Sequence, residues 1–219
     1  MNVALKRECS PFEGAPAWFP WWRGETVVLV ASGPSAKDVP LDLAKGSARF
    51  IAINNSWQLA PWADVLYACD GAWWKNANGC PEFGGLKLTI DRRTTQEHDW
   101  GVRRVECSKG SDMLELRKIN TIGWGGNSGF GALNLAIQFG ASKIILVGYD
   151  MTVSYGAHWH GEHPSHMNNP RPGNVERWRR AIDNAAKQIE PLGIKVINCS
   201  PISKLQNYPR MTFQEALEE

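Results

Sequence analysis

Short runs of apolar and β-branched residues recur along the chain, and helical patterns lie between them. Seven runs predict strands: 26–31, 49–53, 64–69, 86–90, 103–107, 143–148 and 194–198. Several of them are apolar throughout, as strands covered on both faces must be. Strands that alternate with helices imply a mainly parallel sheet with right-handed crossovers. The sequence therefore predicts an α/β domain of three layers.

Two helical patterns are clear. Residues 129–139 are apolar nearly all round, with Ser128 as the predicted N-cap and Gly140 as the glycine that follows the C-terminus. This helix is expected to be buried against the sheet. Residues 174–190 place apolar side chains at spacings of three and four, which predicts an amphipathic covering helix.

Composition narrows the class of protein. With 219 residues and 43% hydrophobic content, the chain has material for one sizeable core. Residues 1–24, which hold three prolines among aromatics, are expected to form an irregular arm, and residues 25–219 one domain with a lid loop at about 151–173. A net charge of +2 gives no global reason to expect nucleic acid as a partner.

The cysteine pattern and the hydropathy of the chain indicate the cellular compartment of the protein. The five cysteines are widely spaced, odd in number and without a C-x-x-C pair, which argues against a disulfide framework and a zinc knuckle. No segment has the length and apolarity of a signal peptide or a membrane span. We expect a cytoplasmic protein without membrane insertion.

Polar residues follow the predicted strands where each one ends. They are Ser32-Gly33-Pro34-Ser35, Asn54-Asn55, Asp70, Asp150 and Asn198. In a parallel sheet, ligands bind beyond the carboxyl ends of the strands, near the point where the strand order reverses. We therefore expect the segments near Ser35, Asn54, Ser128 and Asn198 to share one cavity at that edge.

The turn after the first strand predicts an anion site, because unpaired N–H groups point outward where a glycine turn leads into a helix. It has neither G-x-G-x-x-G nor G-K-[ST], so NAD and P-loop chemistry are not favoured. The alternative is a capped helix start without a ligand. The glycine-rich segment 123–129 is a second candidate of the same kind.

The other strand-end residues admit two interpretations each. Asn54 and Asn55 carry amides that can bind a sugar, a base edge or a phosphate, and turn chemistry explains them equally well. Asp70 and Asp150 are candidates for metal-bound water, a ribose hydroxyl or a cation, and Asp150 also fits an N-cap.

Four of the five histidines lie within nine residues, in A-H-W-H-G-E-H-P-S-H at 157–166. Imidazole shuttles protons near neutral pH and is the commonest transition-metal ligand. We weigh a general acid or base first, then a metal site with His158, His160 and His163 as candidates, then a structural loop. The spacing differs from H-E-x-x-H, and G-x-S-x-G is absent, so neither a zinc protease nor a serine nucleophile is favoured.

Five segments together carry a family resemblance. They read V-V-L-V-A-S-G-P-S, I-A-I-N-N, D-V-L-Y-A-C-D, the run from Ser128 to Met151, and V-I-N-C-S-P-I-S-K-L. In this order they resemble a Rossmann-like group that joins bacterial CMP-sialic-acid sialyltransferases with MptE-like proteins, which include 6-hydroxymethylpterin diphosphokinases and flagellin-modifying nonulosonate transferases. Small, tryptophan-rich relatives of this type look like phage or prophage proteins.

The resemblance implies roles for individual residues. It assigns nucleotide binding to Gly33, Pro34, Ser35, Asn54, Ser128, Gly129, Asn198 and Ser203. Asp150 matches the aspartate of the G-x-D motif and is a predicted catalytic residue. A histidine from a lid-like region acts as base in the sialyltransferases, and His160 or His163 is the corresponding candidate. The sialyltransferase lid that contacts the acceptor sugar is replaced here by the histidine loop and the tryptophan-rich N-terminal arm.

The strand-end pattern predicts a ligand site, and the resemblance implies a transferase: a glycosyltransferase that uses a nucleotide sugar, with a CMP-sugar favoured and no cofactor required. Ser32, Asn55 and Asp70 join the predicted nucleotide site. The acceptor stays open between a glycan, a small molecule and a nucleic acid, and a homo-oligomer stays open too. One alternative is an ATP-dependent diphosphokinase with Mg²⁺, although no triple carboxylate is evident. The other is a protein that binds a nucleotide without turning it over.

Overall fold

A computed structural model describes residues 14–219. Its central sheet has seven strands: β1 (Thr26–Val30), β2 (Arg49–Ile53), β3 (Val65–Tyr67), β4 (Leu86–Thr89), β5 (Val102–Arg104), β8 (Lys143–Val147) and β9 (Lys195–Asn198). The order across the sheet is β5-β4-β3-β2-β1-β8-β9, and all neighbours are parallel. β6 (Glu106–Ser108) and β7 (Thr121–Gly123) form a separate parallel pair.

Two layers cover the sheet, as the alternation of side chains along β1 requires. Val27 and Leu29 face one core with the helices α3 (Ser128–Gln138) and α4 (Pro172–Ile189). Val28 and Val30 face the other core with α1 (Gly71–Asn76) and α5 (Phe213–Glu218). The short helix α2 (Arg92–Glu97) lies between β4 and β5 in the chain. The predicted three-layer α/β, Rossmann-like fold is confirmed.

The predicted strand at 103–107 is wrong as a single element. The amide of Val105 still donates to the carbonyl of Thr89 on β4, but the amide of Glu106 donates to the carbonyl of Asn120 instead, so the chain leaves the central sheet at this point. The strand β7 has no counterpart in the prediction. Gly123 is the last residue of β7, and its amide donates to the side-chain oxygen of Asn134 on the buried helix α3.

The two predicted helices exist, with corrected ends. The N-cap of α3 is Asn127, whose side chain accepts from the amide of Phe130 at 2.9 Å, and the predicted cap Ser128 is the first helical residue. Gly140 follows the helix with φ of +94°, as predicted. The helix α4 begins at Pro172, two residues before the predicted start, because proline suits the first helical turn.

The N-terminal segment packs on the domain where it is described. Phe19 and Trp22 each meet the ring of Phe139 edge-on, with centroids 4.9 Å apart. The first 13 residues of the predicted arm lie outside the described residues, and the division at residue 24 stays a prediction. Each of the four cysteines within residues 14–219 is free. No helix in that part of the chain is long and apolar enough to cross a membrane.

Candidate functional site

A cavity of about 1040 Å³ opens at the carboxyl-terminal edge of the sheet. It lies over the exits of β1, β2, β3 and β8, and the start of α3 and the segment between β8 and α4 complete its wall. The strand order reverses between β1 and β8, so the cavity occupies the place where parallel sheets bind ligands. Its volume lies just above the usual range for small-molecule sites, about 300–1000 Å³.

Nine of the predicted site residues line this cavity: Ser32, Gly33, Asn54, Asp70, Ser128, Gly129, Asp150, His158 and His163. Parallel packing of strands that lie far apart in the sequence brings them together. Their individual roles stay predictions.

Six predicted site residues do not line it: Pro34, Ser35, Asn55, His160, Asn198 and Ser203. Most of these side chains are occupied within the protein. The carboxamide oxygen of Asn55 accepts from the indole of Trp73 at 2.7 Å. Ser203 donates to the carbonyl of Tyr149 at 2.6 Å. Asn198 is fully buried: its side-chain oxygen accepts from the amide of Ser200, and its side-chain nitrogen has no partner within residues 14–219.

The turn after β1 is closed by a carboxylate of the protein itself. The amide of Ser35 donates to Asp150 Oδ2 at 2.9 Å, and its hydroxyl donates to Asp150 Oδ1. Both residues are buried, and burial raises the pKa of Asp150 while the two hydrogen bonds from Ser35 oppose that rise. Gly33 permits this approach, since a Cβ there would collide with the carbonyl of Gly148 and lie 2.6 Å from Asp150 Oδ2.

The start of α3 keeps free donors instead. Asn127 caps the amide of Phe130, and no residue within 14–219 accepts from the amides of Ser128 and Gly129. The Ser128 hydroxyl accepts from the amide of Cys69 at 3.1 Å, which ties the helix start to the exit of β3. Two unpaired N–H groups at the positive end of a helix of 11 residues favour an anion.

Two non-glycine residues of the cavity wall have left-handed backbone. Asn54 has φ of +52° and Met151 has φ of +49°. Asparagine tolerates this region, whereas methionine rarely adopts it. Unfavourable backbone conformations concentrate at functional sites, so these positions support the choice of this cavity as the site.

The three histidines of the loop form a compact cluster at the rim. The ring centroids of His158, His160 and His163 lie 4.6 to 5.1 Å apart. Burial lowers the pKa of His158 and of His160 to about 4, and also lowers that of His163, and the neighbouring imidazoles deepen the shifts of the first two. Each of these pKa shifts favours the neutral form of the ring.

Trp159 holds the loop that carries the cluster. Its amide donates to the carbonyl of Ser32 at 3.0 Å, and its indole donates to the hydroxyl of Ser56 at 3.2 Å. The Ser32 hydroxyl also lies 3.2 Å from Ser56 Oγ. The loop is thus fastened to the exits of β1 and β2, and Trp159 serves packing and hydrogen bonding.

The sequence interpretation missed several wall residues. Arg171 is the one arginine or lysine among the described residues that line the cavity, and Asn127, Asn169 and Trp178 line it as well. Asn127 had a usable signal, because asparagine caps helices as well as serine does. A single arginine in a loop carries no such signal, so Arg171 could not be found from the pattern.

Several solved structures that share this fold are described as glycosyltransferases. The MAf glycosyltransferase from Magnetospirillum magneticum AMB-1 matches 88% of this chain with a TM-score of 0.63 at 14% identity, and the match spans 34% of that protein. The sialyltransferase CstII from Campylobacter jejuni, in complex with CMP-3FNeuAc, matches with a TM-score of 0.53 at 11% identity over 86% of each chain. The sialyltransferase CST-II with a trisaccharide acceptor and CMP gives a TM-score of 0.54 at 14% identity over 86% of each chain.

No protein-family model matches the chain, and the comparison with curated proteins gave no significant match. At these identities the structural likeness shows the fold. It confirms the sialyltransferase-like part of the resemblance at that level. The MptE-like relationship and a phage or prophage origin stay predictions.

Proposed function

We propose that this protein is a glycosyltransferase that takes its sugar from a nucleotide sugar, with a CMP-sugar as the favoured donor. One observation carries the proposal: the large cavity lies where the strand order of the sheet reverses, between β1 and β8, in a fold that glycosyltransferases share. The neighbouring sialyltransferase structures hold CMP, a CMP-sugar analogue and a trisaccharide acceptor.

The start of α3 is the proposed phosphate site. The free amides of Ser128 and Gly129 would donate to the phosphate of the donor, and they would stabilise the charge that develops there as the sugar leaves. Arg171 adds a cation to the same wall. Asn54 and Asp70 are proposed to orient the base and the sugars of the donor, since their polar side chains line the cavity.

His163 is the proposed general base. It lines the cavity, whereas the other candidate His160 does not, and burial favours the neutral imidazole, which can accept a proton. The acceptor's hydroxyl oxygen would form the new bond to the anomeric carbon while the bond from that carbon to the phosphate oxygen breaks. The hydroxyl proton passes to His163, and the leaving phosphate keeps the electron pair.

Calorimetry and a turnover assay test the proposal. CMP is expected to bind the purified protein without Mg²⁺, and His163→Ala is expected to lower transfer or donor hydrolysis by about 10²–10⁴-fold with the CMP affinity unchanged. His166→Ala is the matched control, because His166 lies exposed in the same loop. Equal losses of turnover and affinity in His163→Ala would contradict the base assignment.

The two alternative functions predict other results. A diphosphokinase would bind ATP with Mg²⁺ more tightly than CMP. Among the described residues only two carboxylates, those of Asp70 and Asp150, line the cavity, and both oxygens of Asp150 already accept from Ser35, which leaves few oxygen ligands for Mg²⁺. A sequestering protein would bind an intact nucleotide sugar and release no nucleotide from any donor tested.

A further inference from the structure

The histidine cluster has the composition of a transition-metal site. His158, His160 and His163 each offer a ring nitrogen, and these nitrogens all lie within 4.8 Å of one another. The three rings form a nearly equilateral triangle, with centroids 5.0, 4.6 and 5.1 Å apart. Three imidazoles around one point are one of the ligand sets found in catalytic zinc sites.

Two of the ring nitrogens are buried and have nothing to bind. Nε2 of His158 and Nε2 of His160 are shielded from solvent, and neither has a hydrogen-bond partner within residues 14–219. A buried polar atom left unpaired costs about 1–3 kcal/mol. Packing alone does not account for this arrangement, because apolar side chains would fill the same space without that cost.

The surrounding loop holds the cluster in place. Trp159 fastens the backbone between His158 and His160 to Ser32 and Ser56. Asn169 holds the backbone of His163 from both sides, accepting from its amide at 2.8 Å and donating to its carbonyl at 3.2 Å. Ligands on a fixed backbone lose little entropy when an ion binds.

We infer that His158, His160 and His163 bind one divalent transition-metal ion, with Zn²⁺ as the favoured ion. Imidazole suits zinc, copper, nickel and iron, whereas Mg²⁺ prefers oxygen ligands. In a tetrahedral site with Zn–N bonds of about 2.0–2.1 Å, the nitrogens lie about 3.3 Å apart. The rings therefore need to close by about 1.5 Å or less, which small side-chain rotations supply.

A site with three histidines leaves one tetrahedral position for water or a hydroxyl group. His158 and His163 line the cavity, so that position is within reach of a ligand there. The inference that a metal binds depends only on the histidine cluster. Its role in sugar transfer rests on the proposed function. With the ion bound, activation of the acceptor hydroxyl would pass from His163 to the open position, and the donor site would be unchanged.

Metal titration of the whole, chelator-stripped protein tests the inference without any nucleotide. We expect one equivalent of Zn²⁺ to bind in competition with a chromogenic chelator, and Co²⁺ to give the intense visible absorption of a four-coordinate site. Each of His158→Ala, His160→Ala and His163→Ala should weaken Zn²⁺ binding by more than about 10-fold, since even the loss of an outer-sphere partner costs that much. His166→Ala and His98→Ala, which alter the histidines outside the cluster, should leave it unchanged.

Three results would overturn the inference: no stoichiometric binding, binding that survives all three cluster substitutions, or binding that His166→Ala abolishes. If a cluster variant fails to fold, X-ray absorption at the zinc edge of the wild-type protein decides. A spectrum that shows three imidazole ligands would support the site. A spectrum that shows sulfur ligands, or oxygen ligands only, would contradict it. CMP binding to the metal-free protein is measured separately, so failure of the metal site and failure of the proposed function give different results.

Discussion

Two turns of the cavity wall share one sequence signal and differ in what they bind. Both the turn after β1 and the segment before α3 lead from glycine into a helical start. In the first, Ser35 donates twice to the carboxylate of Asp150. In the second, Asn127 caps one amide, and the amides of Ser128 and Gly129 have no acceptor within the described chain.

The difference separates an internal anion site from an open one. The turn after β1 already holds a carboxylate supplied from the end of β8, so its donors fasten two strand exits together. The start of α3 retains the donors that a phosphate needs. The sequence signal predicts that an anion binds at a helix start, and the tertiary structure decides whether the anion belongs to the protein.

The largest expected effect tests the internal site. Asp150→Ala leaves the buried amide and hydroxyl of Ser35 without an acceptor, and it should lower the free energy of unfolding by roughly 2–4 kcal/mol. Urea denaturation measures the change. Asp112→Ala is the control, because Asp112 pairs with Arg177 at the surface and should cost less than about 1 kcal/mol.

The opposite pattern would break the comparison. If Asp150→Ala keeps its stability and loses CMP binding by more than about 10-fold, or 1.4 kcal/mol, then Asp150 acts on the ligand. The turn after β1 would then belong to the nucleotide site, as the resemblance implies for Ser35.

A smaller effect tests the open site. Ser128→Pro removes one free amide, and the first helical position accepts proline because its φ suits the helix and its N–H has no helical partner. The extended backbone of Asn127, with φ of −155° and ψ of 159°, is compatible with a following proline. Ser128→Ala is the matched control, since both variants lose the hydroxyl that accepts from Cys69.

We expect Ser128→Pro to bind CMP about 10-fold more weakly than Ser128→Ala, the effect of one hydrogen bond to a charged group. Calorimetry gives both affinities. Equal affinities in the two variants would mean that the Ser128 amide does not contact the nucleotide, and the phosphate site would have to be sought elsewhere on the wall.

The sequence predicted the sheet well where burial decides the structure. The runs that became β1, β2 and β8 are buried from their second residue onward, and their ends were predicted to within one residue. The region from Arg103 to Cys107 failed because its break depends on contacts with Asn120 across the chain. The apolar character of a short segment does not predict such contacts with distant residues.

The sequence predicted where the site lies, but it did not predict which of its side chains already have partners. Parallel strands bring Asn54, Asp70 and Asp150 to one edge, and the pattern of strand ends was enough to expect that. The partner of Ser35 lies 115 residues away, so no local pattern could show that its donors are already used. The histidine cluster was visible in the sequence, whereas its unpaired nitrogens became apparent only in three dimensions.

The smallest expected effect is a pH dependence of stability that comes from Asp150 in the turn after β1. Burial raises the pKa of Asp150 above its ordinary value, so the folded state holds a proton there more tightly than the unfolded state does. Stability that depends on Asp150 should therefore fall as the pH rises from the unfolded to the folded pKa. Unfolding free energies of wild type and Asp150→Asn, measured from about pH 3.5 to pH 6, isolate this dependence, and the relative stability of the wild type should decline with pH. A relative stability that grows with pH would mean that the donors of Ser35 outweigh burial, and that the turn after β1 is built to hold a full negative charge, as the start of α3 is proposed to be.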